Sequence, residues 1–260
     1  MAGVTTLALT DHDCVAGIEE AQQAAKQNNI RLIPGVELSV MWSGRTLHLV
    51  GLDINVNNQT FTHALKEALN FRRWRAEEIA RKLEAFGIEN ALGGAQSVAK
   101  TELIGRSHFA HYLVEQGHAR DIRQVFKRFM VKGKPGHVGG EWTPLESGIN
   151  LIHQAGGVAV LAHPARYNLS RTKLRGLLKE LKGLGADGIE VVSGSQSKDE
   201  NQAMAQHALD FKLPASQGSD YHGPEKPWVQ LGKLPPMHYR CTPIWEAGLN
   251  LKSSVDRYER

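Results

Sequence analysis

The stretch that most constrains the fold is Val4–Asp13, in which a strand-forming run ends in an acidic turn that carries a histidine. Its first part is small, β-branched or apolar without polar alternation, which is typical of a parallel strand buried on both faces. The polar residues Asp11, His12 and Asp13 follow almost at once. For this stretch alone, a helix N-cap is the simpler interpretation, because a helix is predicted to begin at Gly17.

The same arrangement recurs along the chain, which changes that interpretation. We predict six strands, and in five of them residues of metal-ligand type lie at or just past the C-terminal end. These residues are His12, Glu37, His163, Glu190, and Asp220 with His222, while His48 lies within the sixth strand. The loops after the strands of an α/β barrel meet on one face, so residues far apart in sequence would converge there.

The residue types in this set indicate metal chemistry. Three or more imidazoles facing several carboxylates, with no thiolates, suit two or three divalent ions such as Mn²⁺, Zn²⁺ or Fe²⁺. Such clusters activate water and hold phosphate oxygens. A single buried histidine is usually part of a core, but six strands that carry such residues to one rim favour a metallohydrolase. Glu190 is the weakest member, because its side chain has an alternative place inside the barrel or against a helix layer.

Residues 57–141 have a different, helical and basic character. We predict that they form a helical insertion or cap, while 1–56 and 142–260 form the barrel domain. One long helix, or two joined ones, is predicted over Thr60–Phe86, because apolar residues recur there at helical spacing. These are Phe61, Leu65, Leu69, Trp74, Ile79 and Leu83. A further helix is predicted over Arg120–Val131, and the many arginines of this segment are most simply a solvated face.

Two helix starts and the tail can also be placed. Ser107 is positioned to cap the helix that carries His108. Thr143 is expected to cap another helix, with Pro144 at its first position. Trp228 and Trp245 are expected to pack the Pro-rich tail against the rest of the protein.

Length and composition exclude several classes of protein. The 260 residues, 41% apolar and 22% charged, suit one large α/β domain or a domain with an insertion. No apolar run approaches the ~20 residues needed to span a bilayer, and no basic-then-apolar leader opens the chain. Cys14 and Cys241 form no disulfide framework, so a cytoplasmic location is predicted. The net charge of +4 mildly favours anionic substrates.

Taken in chain order, these segments resemble the successive motifs of the PHP (polymerase and histidinol phosphatase) family. The resemblance covers essentially the whole chain and rests on Thr10–Asp13, Gly35–Glu37, His48, Ala162–Pro164 and Gly218–His222. Two further segments, Gly105–His108 and Lys134–Gly136, resemble one branch of the family. This branch contains the bacterial nucleoside 3′,5′-bisphosphate phosphatases that also act as 5′-to-3′ exoribonucleases, the ribonuclease AM type.

The resemblance implies a distorted (β/α)7-type barrel with a trinuclear metal site, usually of Mn²⁺; Zn²⁺, Fe²⁺ or Mg²⁺ also suit such ligands. The implied ligands are Glu37 as a bridge between two ions, His48 and His163 on one of them, Asp220 on the second, and His12 with His222 on the third. No side chain is implied as a covalent catalyst, because metal-activated water attacks the phosphate.

Three further residues are candidates for gripping the substrate phosphate: Arg106, His108 and Arg166. Arginine suits bidentate contacts to oxyanions. Ordinary surface ion pairs are the alternative for each of them.

The chain departs from the family pattern at its start. The family opens with a strand that ends in His-x-His, followed by the Asp of a Ser-Asp-Gly turn, and these supply further ligands. Here Met1–Gly3 lead directly into what would be the second strand, so we expect a barrel that lacks its first strand–helix unit of about 30 residues. Met1 would then be an internal methionine of a longer protein, or the gene would be truncated. An open strand edge and missing ligands would leave residues 1–260 poorly soluble, weakly loaded with metal and little active.

The predicted function is metal-dependent hydrolysis of phosphate esters. The expected reactions are removal of the 3′-phosphate of nucleoside 3′,5′-bisphosphates and 5′-to-3′ exonuclease action on short or 5′-monophosphorylated RNA. The expected partners are these nucleotide or RNA substrates, with no membrane and no obligate protein partner. Two alternatives stay open: a phosphatase of the histidinol-phosphate type, and an inactive remnant that only binds nucleotide or RNA.

Overall fold

The computed structural model of the protein describes residues 3–99, 103–140, 142–223 and 229–247. The chain divides into two compact units, one made of Met1–Thr62 with Trp142–Arg260 and the other of His63–Glu141. We call them the sheet unit and the helical unit. No helix within the described ranges is both long and apolar enough to cross a membrane.

The described part of the sheet unit contains seven strands, in keeping with the predicted α/β class. They are β1 (Thr6–Leu9), β2 (Arg31–Trp42), β3 (Arg45–Leu52), β4 (Thr143–Pro144), β5 (Val158–Leu161), β6 (Gly188–Ser193) and β7 (Ala215–Gly218). Their order across the sheet is β1-β2-β3-β5-β6-β7, and β4 pairs with β2 beside this path. Strand β3 runs antiparallel to both β2 and β5, while the other pairs are parallel. The sheet is therefore mixed.

Strand β2 is longer than the sequence predicts. Pro34 and Gly35 are expected to end a short strand, but β2 continues through them, so Glu37 lies within the strand rather than after it. The reason lies in the packing of the neighbouring strands. A Cβ atom on Gly35 would come within 2.8 Å of the Gly51 carbonyl oxygen and 2.7 Å of the Thr10 side chain. Glycine at position 35 allows three segments of the chain to approach closely, and it does not break the strand.

The antiparallel pairing of β2 with β3 follows from a two-residue turn. Ser43 and Gly44 both have positive φ, 46° and 71°, and they join Trp42 directly to its partner Arg45. Such a turn closes a hairpin and leaves no room for a crossover helix.

Four helices accompany the strands: α1 (Ile18–Gln27) and, after the helical unit, α6 (Leu145–Gln154), α7 (Arg171–Gly183) and α8 (Lys198–Phe211). Short 3₁₀ turns occupy Pro164–Tyr167 and Ile244–Glu246. The prediction that Thr143 caps α6 with Pro144 at its first position is wrong. Both residues pair with β2 as strand β4, and Pro144 is itself the N-cap. In the tail, Trp228 lies outside the described residues, and Trp245 is 49% exposed rather than packed down.

The helices α2 (Gln59–Ala85), α3 (Ala91–Val98), α4 (Arg106–Glu115) and α5 (Ile122–Val125) build the helical unit, apart from the first residues of α2. The expected helix over Arg120–Val131 is shorter, because α5 passes into a π-helical turn over Phe126–Met130. The unit has a buried apolar core that includes Ile79, Leu83, Phe109, Leu113 and Met130.

One side-chain prediction for the helical unit is wrong. The N-cap of α4 is Gly105, not Ser107, and the ring Nδ1 of His108 accepts the Gly105 N–H at 3.0 Å. The apolar residues predicted at helical spacing form one stripe of α2, in which Trp74 is 50% exposed. Leu69 is partly buried, whereas the other four residues of the stripe are fully buried.

Candidate metal centre

Six side chains converge in the sheet unit, all of them on or just after strands. His12 follows β1 and pairs with Glu37 of β2 through an isolated parallel bridge. His48 lies within β3, and His163 follows β5. Asp220 and His222 follow β7. These are the six residues that the sequence predicts as ligands, and the fold brings them together.

Glu37 is the centre of the cluster. Its Oε1 lies 2.7 Å from Nδ1 of His48 and 2.8 Å from Nε2 of His163, while its Oε2 lies 3.5 Å from Nδ1 of His12. Burial opposes ionisation of this carboxyl, which is 5% exposed, but the hydrogen bonds from His163 and His48 and the charge of His12 hold its pKa well below the usual range. Glu37 is therefore an anion at neutral pH, although it is almost fully buried.

The donor atoms fall into two overlapping groups. His12, Glu37 and His48 form one, and Glu37, His163 and Asp220 form the other, each with ligand atoms within 4.8 Å of one another. The two groups share Glu37, and His48 Nδ1 lies only 3.3 Å from His163 Nε2.

His222 joins the cluster from the side of His12. The two ring centroids are 5.6 Å apart, and Nδ1 of His222 lies 2.9 Å from the main-chain oxygen of Asp220. Desolvation raises the pKa of Asp11, and the charge of His222 opposes this rise.

The three candidates for phosphate binding have different surroundings. The guanidinium of Arg166 pairs with Asp220 and donates to the hydroxyl of Ser195 at 2.6 Å and 3.0 Å. Arg166 therefore lies at the edge of the cluster. Arg106 and His108 belong to the helical unit, where the guanidinium of Arg106 lies 5.8 Å from the ring centroid of Phe126. Their binding roles stay predictions.

Comparison with known proteins places the chain among phosphate-ester hydrolases. It is 43% identical over 244 residues to a 5′-3′ exoribonuclease of Haemophilus influenzae, a match that covers 94% of this chain and 88% of the relative. It is 42% identical over 243 residues to a 3′,5′-nucleoside bisphosphate phosphatase of Chromobacterium violaceum, covering 92% and 84%. The chain belongs to this exoribonuclease and bisphosphate phosphatase family. No protein-family model matches the chain.

Two solved structures resemble this member of the exoribonuclease and bisphosphate phosphatase family. An amidohydrolase from Chromobacterium violaceum, with bound sulfate and no metal, has a TM-score of 0.86 at 41% identity and covers 93% of this chain and 84% of its own. A metal-dependent phosphoesterase from Bifidobacterium adolescentis has a TM-score of 0.76 at 24% identity and covers 90% and 83%. The second likeness extends to the fold alone.

The residues present fit divalent metal ions. Imidazole nitrogens and carboxylate oxygens without thiolates are the donors that Mn²⁺, Zn²⁺ and Fe²⁺ accept. Two ring nitrogens, of His48 and His163, meet at one carboxylate oxygen of Glu37. At the far side of its ring, the buried Nδ1 of His163 has no hydrogen-bond partner among the described residues. The nitrogen and oxygen atoms that could bind a metal ion thus face one another in this site.

Three residues lie behind the candidate ligands and accept hydrogen bonds from the main chain of the site or donate them to it. The sequence does not predict this role for them. Asp13 is fully buried, and its Oδ1 accepts the Ser39 N–H at 2.6 Å. The hydroxyl of Tyr167 accepts the His48 N–H and donates to the Ala162 carbonyl, both at 2.9 Å. Burial raises the pKa of this phenol, so it stays a neutral hydroxyl that can do both. No sequence signal marks Tyr167, because its partners are main-chain atoms of distant strands.

Glu190 is the third residue behind the ligands. Its Oε2 accepts the His163 N–H at 2.6 Å, which fixes His163 in a left-handed conformation with φ of 30°. The sequence marks Glu190 as a carboxylate at a strand end but does not give its direction. The structure shows that it faces the main chain of a candidate ligand.

Proposed function

We propose that the protein is a metal-dependent phosphoesterase that removes the 3′-phosphate of nucleoside 3′,5′-bisphosphates and degrades short or 5′-monophosphorylated RNA from the 5′ end. The convergence of four imidazoles and the carboxylate of Asp220 around Glu37 supports this proposal most strongly. The names of the relatives from Haemophilus influenzae and Chromobacterium violaceum support the choice of substrates.

The proposed metal ligands are the six predicted residues, and Mn²⁺ is the ion expected first. His12, Glu37 and His48 would hold one ion, and Glu37, His163 and Asp220 a second, with His222 beside both His12 and Asp220. When bound, such ions supply positive charge to phosphate oxygens and lower the pKa of a coordinated water.

The protein's own groups prepare the site for an anionic substrate. Glu37 is ionised and buried, so it offers both oxygens without a proton to displace. Arg166 brings a guanidinium to the edge of the cluster, where it would bind a phosphate oxygen. Arg106 and His108, in the helical unit, are the other two residues proposed to bind phosphate. The Nδ1 atom of His108 already accepts the Gly105 N–H at the start of α4.

The test is phosphate release from adenosine 3′,5′-bisphosphate with Mn²⁺, compared with the same protein in EDTA. Adenosine 5′-monophosphate is the expected product, and histidinol phosphate is the competing substrate. His48→Ala should abolish release, while His63→Ala is a matched control, because His63 is exposed in the helical unit. Release from histidinol phosphate alone, or equal activity of His48→Ala, would contradict the proposal.

A further inference from the structure

Positive charge is concentrated in the helical unit. Its range, His63–Glu141, holds 14 Lys and Arg against 9 Asp and Glu, a net charge of +5. The rest of the chain holds 17 against 18, a net charge of −1. A surplus of this kind on one unit is the electrostatic footprint of a polyanion site.

Helix α2 carries an exposed tryptophan within this basic unit. Trp74 is 50% exposed and follows the exposed Arg73 directly. Arg72 and Arg75 lie within one helical turn of it. Burial, with repulsion from Arg106 and Arg72, lowers the pKa of Arg75 to about 10. The guanidinium groups thus crowd together, and a polyanion relieves such crowding.

The ring of Trp74 is supported on one side. It lies 5.4 Å from the ring of Phe71 at an interplanar angle of 33°. Phe71 is in turn held against Gly140, where an added Cβ would lie 1.9 Å from its ring. A supported, half-exposed indole beside guanidinium groups is the combination on which successive bases of single-stranded nucleic acid stack.

We propose that Trp74, with Arg73 beside it, forms a stacking surface for single-stranded RNA on the helical unit. RNA is chosen over other polyanions because of the proposed exoribonuclease activity, on which this inference rests. The surface would bind bases and phosphates without reading sequence, since every base has a stacking face. Successive bases and phosphates stack on and contact such a surface, so an oligonucleotide is the appropriate probe.

Binding without turnover tests the surface. A fluorescein-labelled oligouridylate of about twelve nucleotides is titrated with the full chain in EDTA, and its anisotropy is followed. Trp74→Ala should weaken binding about five- to a hundredfold, while Trp74→Phe should restore most of the affinity. Arg73→Ala should reduce the slope of log affinity against log salt by about 0.7.

Two controls separate stacking from charge and from misfolding. Trp245→Ala removes an equally exposed tryptophan from the sheet unit, where the next residue is Glu246, and it should bind as the wild type does. Trp74→Ala should bind an abasic strand of equal length as tightly as the wild type does. The proposal is overturned if the wild type does not bind the oligouridylate, or if Trp74→Ala binds it as tightly as the wild type does. It is also overturned if Trp74→Ala weakens the binding of the abasic strand and of a duplex as much as the binding of the oligouridylate. Hydrolysis of adenosine 3′,5′-bisphosphate by the wild type tests the proposed activity separately.

Discussion

Without metal, the Glu190→Gln variant should be more stable than the wild type, by a margin that grows as the pH rises. Glu190 is 6% exposed, and burial, reinforced by the charges of Asp220 and Glu37, raises its pKa from 4.5 to about 8. The hydrogen bond from the His163 N–H opposes this rise without cancelling it. A side-chain amide has the same shape as the protonated acid and can accept the same hydrogen bond, but it does not ionise.

The sign follows from the protons bound in each state. The unfolded chain loses the Glu190 proton near pH 4.5, while the folded protein holds it to about pH 8. Stability from this group is therefore fully present below pH 4.5 and falls as the pH rises to about 8. The fall amounts to about 5 kcal/mol of unfolding free energy, at about 1.36 kcal/mol for each pH unit.

The assay is urea unfolding in EDTA, repeated between about pH 5 and pH 9 for the wild type and Glu190→Gln. The difference in unfolding free energy should be small at the acidic end and grow by several kcal/mol in favour of the variant. Glu115→Gln, an exposed carboxyl on α4, controls for the chemical change itself. Parallel stability curves for wild type and Glu190→Gln would show that Glu190 titrates normally, and the reasoning would fail.

Three further predictions concern the site and its scaffold. Tyr167→Phe removes the hydroxyl that pairs the His48 N–H with the Ala162 carbonyl, so the free energy of unfolding should fall by about 1–3 kcal/mol. The affinity for Mn²⁺, measured by calorimetry, should fall about tenfold or more, and an unchanged affinity would contradict a positioning role. Glu37→Gln removes the carboxylate common to both donor groups, so metal content by mass spectrometry should fall by more than half, whereas exposed Glu67→Gln should keep full content. Gly35→Ala should destabilise the protein by about 1–3 kcal/mol in urea, because the Gly51 carbonyl cannot move away. Gly176→Ala on α7, where the new methyl group meets open space, should instead stabilise it by about 0.5–1 kcal/mol, and a loss in both variants would refute the steric argument.

The convergence of the candidate ligands can be predicted from the sequence because the signal repeats. His12, His163 and Asp220 each follow an apolar run, and strand ends on one side of a sheet converge whatever the details of the loops. The position of Glu37 was less predictable. Pro34 and Gly35 normally interrupt a strand, and only the contact with Gly51, set by tertiary packing, shows that the strand continues.

Local signals fail where a distant partner decides the structure. Thr143 and Pro144 have the composition of a helix start, but the edge of β2 pairs with them instead. Trp74 fits the apolar period of α2, yet the core of the helical unit is filled without it. Glu190 and Tyr167 act on main-chain atoms, which carry no residue-specific pattern that a sequence reveals.

The two-residue turn at Ser43–Gly44 has a consequence for how this protein can vary. Glu37 and His48 project from one face of the hairpin because Ser39 pairs with His48 and Glu37 with Val50. Side chains alternate along a strand, so one residue inserted in the turn would send either ligand to the opposite face. The turn lies about 15–20 Å along the strand from Glu37 and touches no candidate ligand. Relatives that keep these candidate ligands should therefore vary in the turn only among residue types that tolerate positive φ, and not in its length.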